Sequence, residues 1–373
     1  MSGRVVFIPM EFMIRTGASV ALIRLPRFPC RPPARAKPGE MSVLVCYDRA
    51  WDFERDGMIF RKADELRDRI VKLSGHRILQ PPRVFEDTSS YMHIVGGSVV
   101  RLGGNDYYIT TDAREDRFGV DDQPKFWVKY AIDLTDGSRK IIKLVFHEEF
   151  VADIGMIRIR CRRNPGKEAR ILDAVRGNPR FMQGLCITDP VGNLVRVIDR
   201  ITGQSLYKYL EDLEMPHEEY FSEKMPGIMK EVLLCVDALA ELQNKGLHHG
   251  DVRSDHIWIE KGTNRFVWID FDYEVSHTDY DLWSMGNLII RVLGKGVHKA
   301  RDVERDGGGY PLCRERITPR DQVLLDNDRI ANLRKLFPYI PVGLNDIAMR
   351  FSAGAVDFYP SLEKLSNDLH EFF

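Results

Sequence analysis

Strand patterns and helix patterns occupy different parts of this chain, and they meet near residue 203. Residues 91–150 are rich in Val, Ile, Tyr, Phe and Trp and contain two hairpin turn signals. Residues 226–245 and 280–295 instead carry apolar side chains at helical spacing. We therefore predict an α+β fold in which a strand-rich part precedes a helix-rich part, with a ligand cleft between them.

Local patterns give a more detailed prediction of the elements in chain order. The predicted helices are 61–76, 165–175, 226–245, 280–295 and 343–372, and the predicted strands are 98–102, 106–110, 126–134, 139–146, 185–188, 194–200, 256–260 and 266–269. Residues 300–330 are polar and contain three consecutive glycines, so we interpret them as an exposed excursion, with an acceptor-binding insert as the alternative.

The chain divides into four predicted segments. Residues 1–40 are basic and proline-rich, which suggests a disordered arm or sequence upstream of the true start. Residues 41–90 are expected to form an accessory α/β extension. A strand-rich domain is expected over 91–202 and a helical domain over 203–373.

Bulk charge and cysteine spacing exclude several classes of function. The formal net charge of −1 gives no electrostatic case for nucleic acid or an anionic membrane as a partner. No apolar stretch is long enough to cross a bilayer. The 6 cysteines are scattered and form no CxxC pair, which favours reduced thiols in a cytoplasmic protein over a zinc site or a disulfide framework.

Two carboxylates in residues 247–274 are candidates for phosphoryl-transfer chemistry. His249-Gly250-Asp251 follows a predicted helix, and Asp270 ends a hydrophobic strand after an intervening hairpin. A tight hairpin would bring Asp251 and Asp270 to one rim. Phosphoryl transfer needs a group that orients the nucleophile, carboxylates that hold Mg²⁺ and a cation on the nucleotide phosphates.

These residues resemble the motifs of the protein kinase-like superfamily. HGDVRSDH, residues 249–256, resembles the catalytic loop HRDLKxxN in the HGD form common among aminoglycoside and choline phosphotransferases. IDFD, residues 269–272, resembles the DFG strand. The resemblance implies that Asp251 is the catalytic base, with His249 and Arg253 in the same loop as further catalytic candidates, and that Asp270 binds metal.

Further motifs follow in the family's order and extend the resemblance over residues 107–373. DYDLWSMGNLIIRVL, residues 279–293, is similar to the helix whose buried aspartate braces the catalytic loop, here Asp281. VIDRITGQSLYKYL, residues 197–210, is similar to the hinge, which implies that Asp199, Arg200 and Ile201 face adenine. The implied fold is bilobal, with a strand-rich N-lobe, a helical C-lobe and an N-terminal extension.

The resemblance also implies a lysine–glutamate ion pair that orients the nucleotide phosphates. Lys143 lies in IIKLVF, which resembles the VAIK strand, and Glu168 lies in the predicted helix that follows. Four alternatives stay open: Lys129 and Lys140 for the lysine, and Glu148 and Glu149 for its partner.

Two positions depart from the family's pattern. His256 replaces the asparagine that binds the second metal ion, so the candidate metal ligands are Asp270, His256 and Asp272, with Asp255 as a substitute. Imidazole is a poor Mg²⁺ ligand and suits Mn²⁺ better. The glycine-rich loop is also missing: its positional equivalent, 113–120, keeps only Gly119, with Gly96-Gly97 and Gly103-Gly104 as alternatives.

A third departure bears on the acceptor. Only ten residues separate Asp270 from Asp281, too few for the activation segment on which protein kinases bind peptides. We therefore expect an ATP- and Mg²⁺-dependent phosphotransferase that acts on a small molecule or an atypical protein. A pseudokinase that serves as a binding module is the principal alternative, and nucleotidyl transfer on the same fold is a further one.

Overall fold

The structure is a computed structural model that describes residues 13–16, 19–22, 53–117, 120–154, 157–277, 279–305, 310, 313 and 315–373. Its architecture is mixed α+β. Among the described helices, none is both long enough and apolar enough to cross a membrane.

Seventeen strands and nine helices are found in the described residues. The strands are β1 (Met13–Thr16), β2 (Ser19–Leu22), β3 (Val84–Phe85), β4 (Val99–Leu102), β5 (Asn105–Arg117), β6 (Val120–Asp133), β7 (Arg139–Lys143), β8 (Glu149–Ile154), β9 (Ile157–Arg163), β10 (Gly184–Thr188), β11 (Leu194–Asp199), β12 (Gly203–Ser205), β13 (Ile257–Glu260), β14 (Phe266–Trp268), β15 (Tyr273–Val275), β16 (Gln322–Val323) and β17 (Asp326–Ile330). The helices are α1 (Phe53–Ser74), α2 (Pro165–Ala174), α3 (Leu206–Glu211), α4 (His217–Glu223), α5 (Met225–Asn244), α6 (Tyr280–Leu293), α7 (Ala300–Arg305), α8 (Val342–Met349) and α9 (Leu362–His370).

A seven-stranded sheet forms the strand-rich part, in the order β10-β11-β7-β6-β5-β4-β3. All of its neighbouring strands are antiparallel except β3 and β4. A second sheet, β15-β9-β8, joins the hairpin that follows β7 to the strand that follows Asp270. Residues far apart in sequence therefore meet at one end of α2.

The described residues contain two large apolar cores. One core belongs to the seven-stranded sheet and includes Ile109, Trp127 and Ile142. The larger core surrounds α5 and α6, and partly buried Ile141 packs against both cores. α1 covers the sheet at Val99 and Tyr108 through Ile70, which is fully buried. The apolar stripe of each helix thus finds a partner, as amphipathic helices require.

Most of the predicted elements are confirmed with boundary shifts of a few residues, including both hairpins of the sheet and the helices now named α2, α5 and α6. The predicted helix over 343–372 is wrong as one element, because α8 and α9 are separate helices. The interpretation of 300–330 as an exposed excursion is also wrong: α7 and β17 bury Ala300, Val303 and Ile330 in a small core of their own. The proposed boundaries at residues 40, 90 and 203 stay predictions.

The packing of α6 against Phe351 leaves no room for a methyl group at Gly286. An added Cβ would lie 2.3 Å from the Phe351 ring, whereas one at Gly227 in α5 would meet nothing within 4 Å. We expect Gly286→Ala to lower the free energy of unfolding by about 1–3 kcal/mol because overpacking displaces the ring. Gly227→Ala should be neutral or stabilising by up to ~1 kcal/mol, because alanine favours helix. Urea unfolding of both variants measures this, and equal effects would contradict the packing at α6.

Candidate active site

A cleft of about 1460 Å³ is lined by both the seven-stranded sheet and the helical part. The candidate residues on its wall are Lys143, Asp199, Arg200, Ile201, Arg253, Asp255, His256 and Asp270. Its volume exceeds the roughly 300–1,000 Å³ of a typical small-molecule site. The cleft has room for more than one ligand.

Lys143 lies at the centre of three carboxylates. Its Nζ is 2.7 Å from Glu168, 2.5 Å from Asp270 and 3.8 Å from Asp272. Burial alone would lower the pKa of Lys143, but these carboxylates raise it above its ordinary value. Burial would likewise raise the pKa of Asp270, yet Lys143 and Lys125 hold it well below its usual range. Lys143 and Asp270 are therefore both charged at neutral pH.

Strand alternation explains why Lys143 and not its neighbours reaches this site. Lys143 and Ile141 share the face of β7 that lines the cleft. Lys140 lies on the opposite face and pairs with Asp199 at 2.5 Å. Lys129 is buried and pairs with Asp112 at 2.6 Å. Glu168, from the first turn of α2, is likewise the glutamate that meets Lys143.

Two arginines that the sequence did not indicate complete the charge network. Arg196 on β11 donates to Glu168 at 3.0 Å, with both side chains fully buried. Arg163, at the end of β9, donates to Asp272 and also to Glu148 at 3.0 Å. Glu148, an open alternative for the partner of Lys143, is thus a partner of Arg163. The buried pair between Arg163 and Asp272 ties the start of α2 to the strand after Asp270.

Asp281 braces the loop that carries His249, Gly250 and Asp251 through backbone hydrogen bonds. Its buried carboxylate accepts the N–H of His249 at 2.7 Å and the N–H of Gly250 at 2.8 Å. Gly250 has φ of 82°, and a Cβ there would lie 2.1 Å from the Tyr273 carbonyl oxygen, so only glycine fits. Lys167, on α2, donates to the carbonyls of His249 and Tyr273. Burial lowers the pKa of Lys167 to about 8.

His249 is a structural member of this loop. It is fully buried against Trp268 and Phe271, and burial lowers its pKa well below the ordinary value, so the ring is neutral. Its Nδ1 accepts the N–H of Asp251 at 3.2 Å. The side chain therefore positions Asp251 and does not line the cleft.

The surroundings of Asp251 shift the pKa of its carboxyl group. Burial raises its pKa, against the opposing charge of the Arg253 guanidinium. His256 Nδ1 lies 2.8 Å from the Asp251 carbonyl oxygen, and its Nε2 lies 3.1 Å from Arg253 Nη2. Because Arg253 can only donate, Nε2 must accept and Nδ1 must donate. Both ring nitrogens of His256 therefore form hydrogen bonds within the loop. Its Nε2 also lies 3.9 Å from Asp270.

The acidic residues that could hold a metal ion differ in part from the predicted ligand set. Glu168, Asp270 and Asp272 each offer an oxygen, and these oxygens lie within 4.8 Å of one another. Asp270 has φ of 62°, a left-handed conformation that is unusual outside glycine. Oxygen ligands suit Mg²⁺. Asp270 and Asp272 belong to both sets, and Glu168 takes the place that sequence reasoning gave to His256.

Asp199, Arg200 and Ile201, the candidates for contact with adenine, all line the cleft. The Asp199 N–H donates to Gln183 at 2.9 Å, and the Arg200 N–H donates to Arg139 at 3.1 Å. The Arg200 guanidinium lies over the Tyr130 ring at 4.2 Å. Val128, Ile141, Met182 and Ile198 give this end of the cleft an apolar wall. Gly119, the candidate from the atypical loop, lies outside the described residues.

Comparison with known proteins adds no relative. A scan against protein-family models finds no match to this chain, and a search of curated proteins finds no significant match. What the chain does must therefore be inferred from the site itself.

The role of Asp281 predicts a stability effect. Asp281→Asn leaves one acceptor oxygen for two N–H donors, so we expect a loss of about 1.5–3 kcal/mol of unfolding free energy. The matched control is Asp279→Asn, because Asp279 precedes α6 and makes no side-chain capping bond. Its expected change is within about 0.5 kcal/mol. Equal values in urea unfolding would show that the carboxylate does not brace the loop.

The Lys143 network predicts competition between lysine and a metal ion. Lys143→Met leaves Glu168, Asp270 and Asp272 without their central cation, so we expect a loss of about 3–5 kcal/mol. Millimolar Mg²⁺ or Mn²⁺ should restore part of this loss, because the freed oxygens can bind a divalent ion. The control Lys140→Met breaks only the outer pair with Asp199 and should cost about 1 kcal/mol or less. The same metal-induced shift of Tm in both variants would refute the competition.

Proposed function

We propose that this protein is an ATP-dependent phosphotransferase of the protein kinase-like superfamily, with a strand-rich N-lobe and a helical C-lobe. The observation that carries the proposal is the Lys143 ammonium, joined at once to Glu168 at 2.7 Å and to Asp270 at 2.5 Å. The resemblance implies this arrangement for the lysine, the helix glutamate and the metal-binding aspartate.

Separate motifs that converge on one cleft support the proposal. Lys143 and Glu168 are 25 residues apart in the chain, and Asp281 lies 31 residues from the Gly250 N–H that it accepts. Each pair has the partnership that the family resemblance implies. Chance would seldom give both.

Asp251 is assigned the role of accepting the acceptor's proton. Its raised pKa brings it nearer to neutral pH than an exposed aspartate, which suits a general base. The neutral His249 ring and the Asp281 carboxylate fix the backbone on which it stands. Lys143 is assigned to the nucleotide phosphates, and the apolar wall at Ile198 to the adenine ring.

A divalent metal ion fits the acidic residues beside Lys143. Asp272 Oδ1 is buried and has no hydrogen-bond partner in the described part of the chain. Asp270, Asp272 and Glu168 would hold the ion, with oxygen ligands that suit Mg²⁺ as well as Mn²⁺. When bound, Mg²⁺ would neutralise charge on the transferring phosphoryl group.

The second candidate function is a pseudokinase that binds nucleotide or a partner without turnover. One observation favours it: both ring nitrogens of His256 are engaged within the loop, so the position of the second metal ligand is used for structure.

The acceptor of an active enzyme would be a small molecule or an atypical protein, with no nucleic acid and no membrane as partner. Free cysteines at 161, 186, 235 and 313 suit a cytoplasmic location.

The test of the proposal is Asp251→Asn, with Asp302→Asn on the surface of α7 as the matched control. The first should lower ATP turnover by about 10²–10⁴-fold and leave the nucleotide Kd unchanged, because the base acts on the acceptor. The control should change neither value. Turnover is measured as ADP release, with water and with candidate acceptors, in Mg²⁺ and in Mn²⁺.

Two outcomes would contradict this assignment in different ways. Full activity in Asp251→Asn would move the base to another residue. No turnover by the unaltered protein in either metal, together with nucleotide binding that excess chelator leaves unchanged, would refute the enzyme and leave the pseudokinase.

A further inference from the structure

The cleft continues from the nucleotide end into a second region, which we call the distal groove. It is lined by Tyr207 and Glu211 of α3, Asn287 and Arg291 of α6, and Arg329 of β17. The total volume of about 1460 Å³ leaves space here beyond a single ligand of ordinary size. Nothing in the nucleotide end uses these five side chains.

α6 connects the distal groove to the catalytic loop. Tyr280, Ser284, Asn287 and Arg291 recur at helical spacing and all line the cleft, so one face of α6 forms its floor. The Asp251 carboxylate acts on the pKa of Tyr280 and so lies near the start of this face. Arg291 follows three turns later, about 16 Å along the helix axis.

Arginine charge is concentrated at the far end of the groove. The Arg291 and Arg329 side chains are 15% and 21% exposed, and they lie close enough for the charge of Arg291 to lower the pKa of Arg329, where burial is the larger cause. Their carboxylate partners are Glu211 at 2.8 Å and Asp326 at 3.3 Å, both about half exposed. Two adjacent half-buried cations favour an anion between them.

The side chains that line the whole cleft also carry a net positive charge. Eight Lys or Arg side chains line it against four Asp or Glu, although the chain carries a formal charge of −1. Among the lining residues after Gly203, Lys208, Arg253, Arg291 and Arg329 outnumber the carboxylates of Glu211, Asp255 and Asp270. A cationic acceptor is therefore disfavoured there.

Polar and aromatic groups in and beside the distal groove suit a hydroxylated ring compound. Asn287 Oδ1 and Arg291 Nε are buried and have no hydrogen-bond partner among the described residues. A small rotation of the Asn287 amide would present it to a ligand hydroxyl. Tyr207 is 43% exposed and lies beneath Arg291 at 4.4 Å, and Trp258 and Trp283 also line the cleft. Aromatic faces of this kind pack against sugar rings.

We propose that the distal groove is the acceptor site and takes a small hydroxylated anion of about two sugar rings. Arg291 and Arg329 hold the anionic group, and a hydroxyl at the other end reaches Asp251. Arginine side chains lean toward the N-terminus of their helix, so the ligand must span on the order of 10 Å. This assignment rests on the proposed function.

The reaction that the site supports is a single phosphoryl transfer. The acceptor oxygen forms a bond to the γ-phosphorus, and the bond from that phosphorus to the bridging oxygen of the β-phosphate breaks. The hydroxyl proton passes to Asp251 and then to water. The products are a phosphate ester of the acceptor and ADP.

The experiment measures binding by calorimetry to the full chain loaded with ADP and Mg²⁺. The probes are trehalose 6-phosphate as the anion, trehalose as its neutral match, neamine as a cation of similar size, and an acidic serine peptide. We expect the phosphorylated disaccharide to bind at least 10-fold more tightly than trehalose, and neamine not to bind.

Variants test which residues give this preference. Arg291→Met and Arg329→Met should each weaken anion binding by roughly 10- to 100-fold, because one charge-assisted contact is lost. Both variants should leave the ADP Kd unchanged. Glu211→Gln should strengthen anion binding several-fold, because it removes the carboxylate that competes for Arg291. Arg301→Met, an exposed arginine that does not line the cleft, is the control and should change nothing.

Three results would overturn the acceptor site. They are equal binding of trehalose and its phosphate, anion binding that Arg291→Met and Arg329→Met leave unchanged, or a preference for the serine peptide. These results concern binding alone and stand whether or not ATP is turned over. Anion binding that depends on both arginines, in a protein that turns over no ATP in Mg²⁺ or Mn²⁺ and binds nucleotide equally well in excess chelator, would keep the groove as an anion site and refute the proposed function instead.

Discussion

The Lys143 ammonium group joins three elements of this structure through ion pairs. Lys143 belongs to β7, Glu168 to α2 and Asp270 to the turn after β14, and the three meet within hydrogen-bond distance. Moving any one of these elements would leave a buried charge without its partner, which costs several kcal/mol. The same pairing offsets the left-handed backbone of Asp270, which would otherwise be an unfavourable conformation for this residue. The relation between the sheet and the helical part is thus held by charge as much as by apolar contact.

A second set of cations holds the same N-terminal end of α2. Arg163 precedes the helix and binds Asp272, while Lys167 in its first turn reaches two carbonyls of the helical part. The short connection after Asp270 then enters β15, which pairs with β9 in a three-stranded sheet. The connection is therefore ordered by strand pairing, and α2 has little freedom to leave Lys143. An element held in this way is poorly suited to switching by loop ordering.

The family resemblance pointed to Lys143 and Glu168, and the sequence left Lys129, Lys140, Glu148 and Glu149 open as alternatives. The contacts of Lys143 with Glu168, and of Lys140 with Asp199, distinguish these residues only in the structure. Arg163, Arg196 and Lys125 were missed because their partners are distant in sequence, more than 100 residues for Arg163 and Asp272, and no periodicity reports such contacts. The hairpin β8–β9 was missed as well, although its alternating charged and apolar residues carried a signal. His256 was a candidate metal ligand in the sequence, and its two hydrogen bonds in the structure support the loop instead.

The distribution of charge explains how one cleft can be acidic at its centre and still favour anions. Glu168, Asp270 and Asp272 are buried among Lys143, Arg163 and Arg196, so their charges are cancelled within a few ångströms. Close pairs of this kind project little field, whereas Arg291 and Arg329 are balanced only by half-exposed carboxylates that water screens. A ligand in the distal groove therefore meets mainly the arginines. In the proposed acceptor site, this neutral centre and positive far end account for one orientation of a hydroxylated anion, with its hydroxyl toward Asp251.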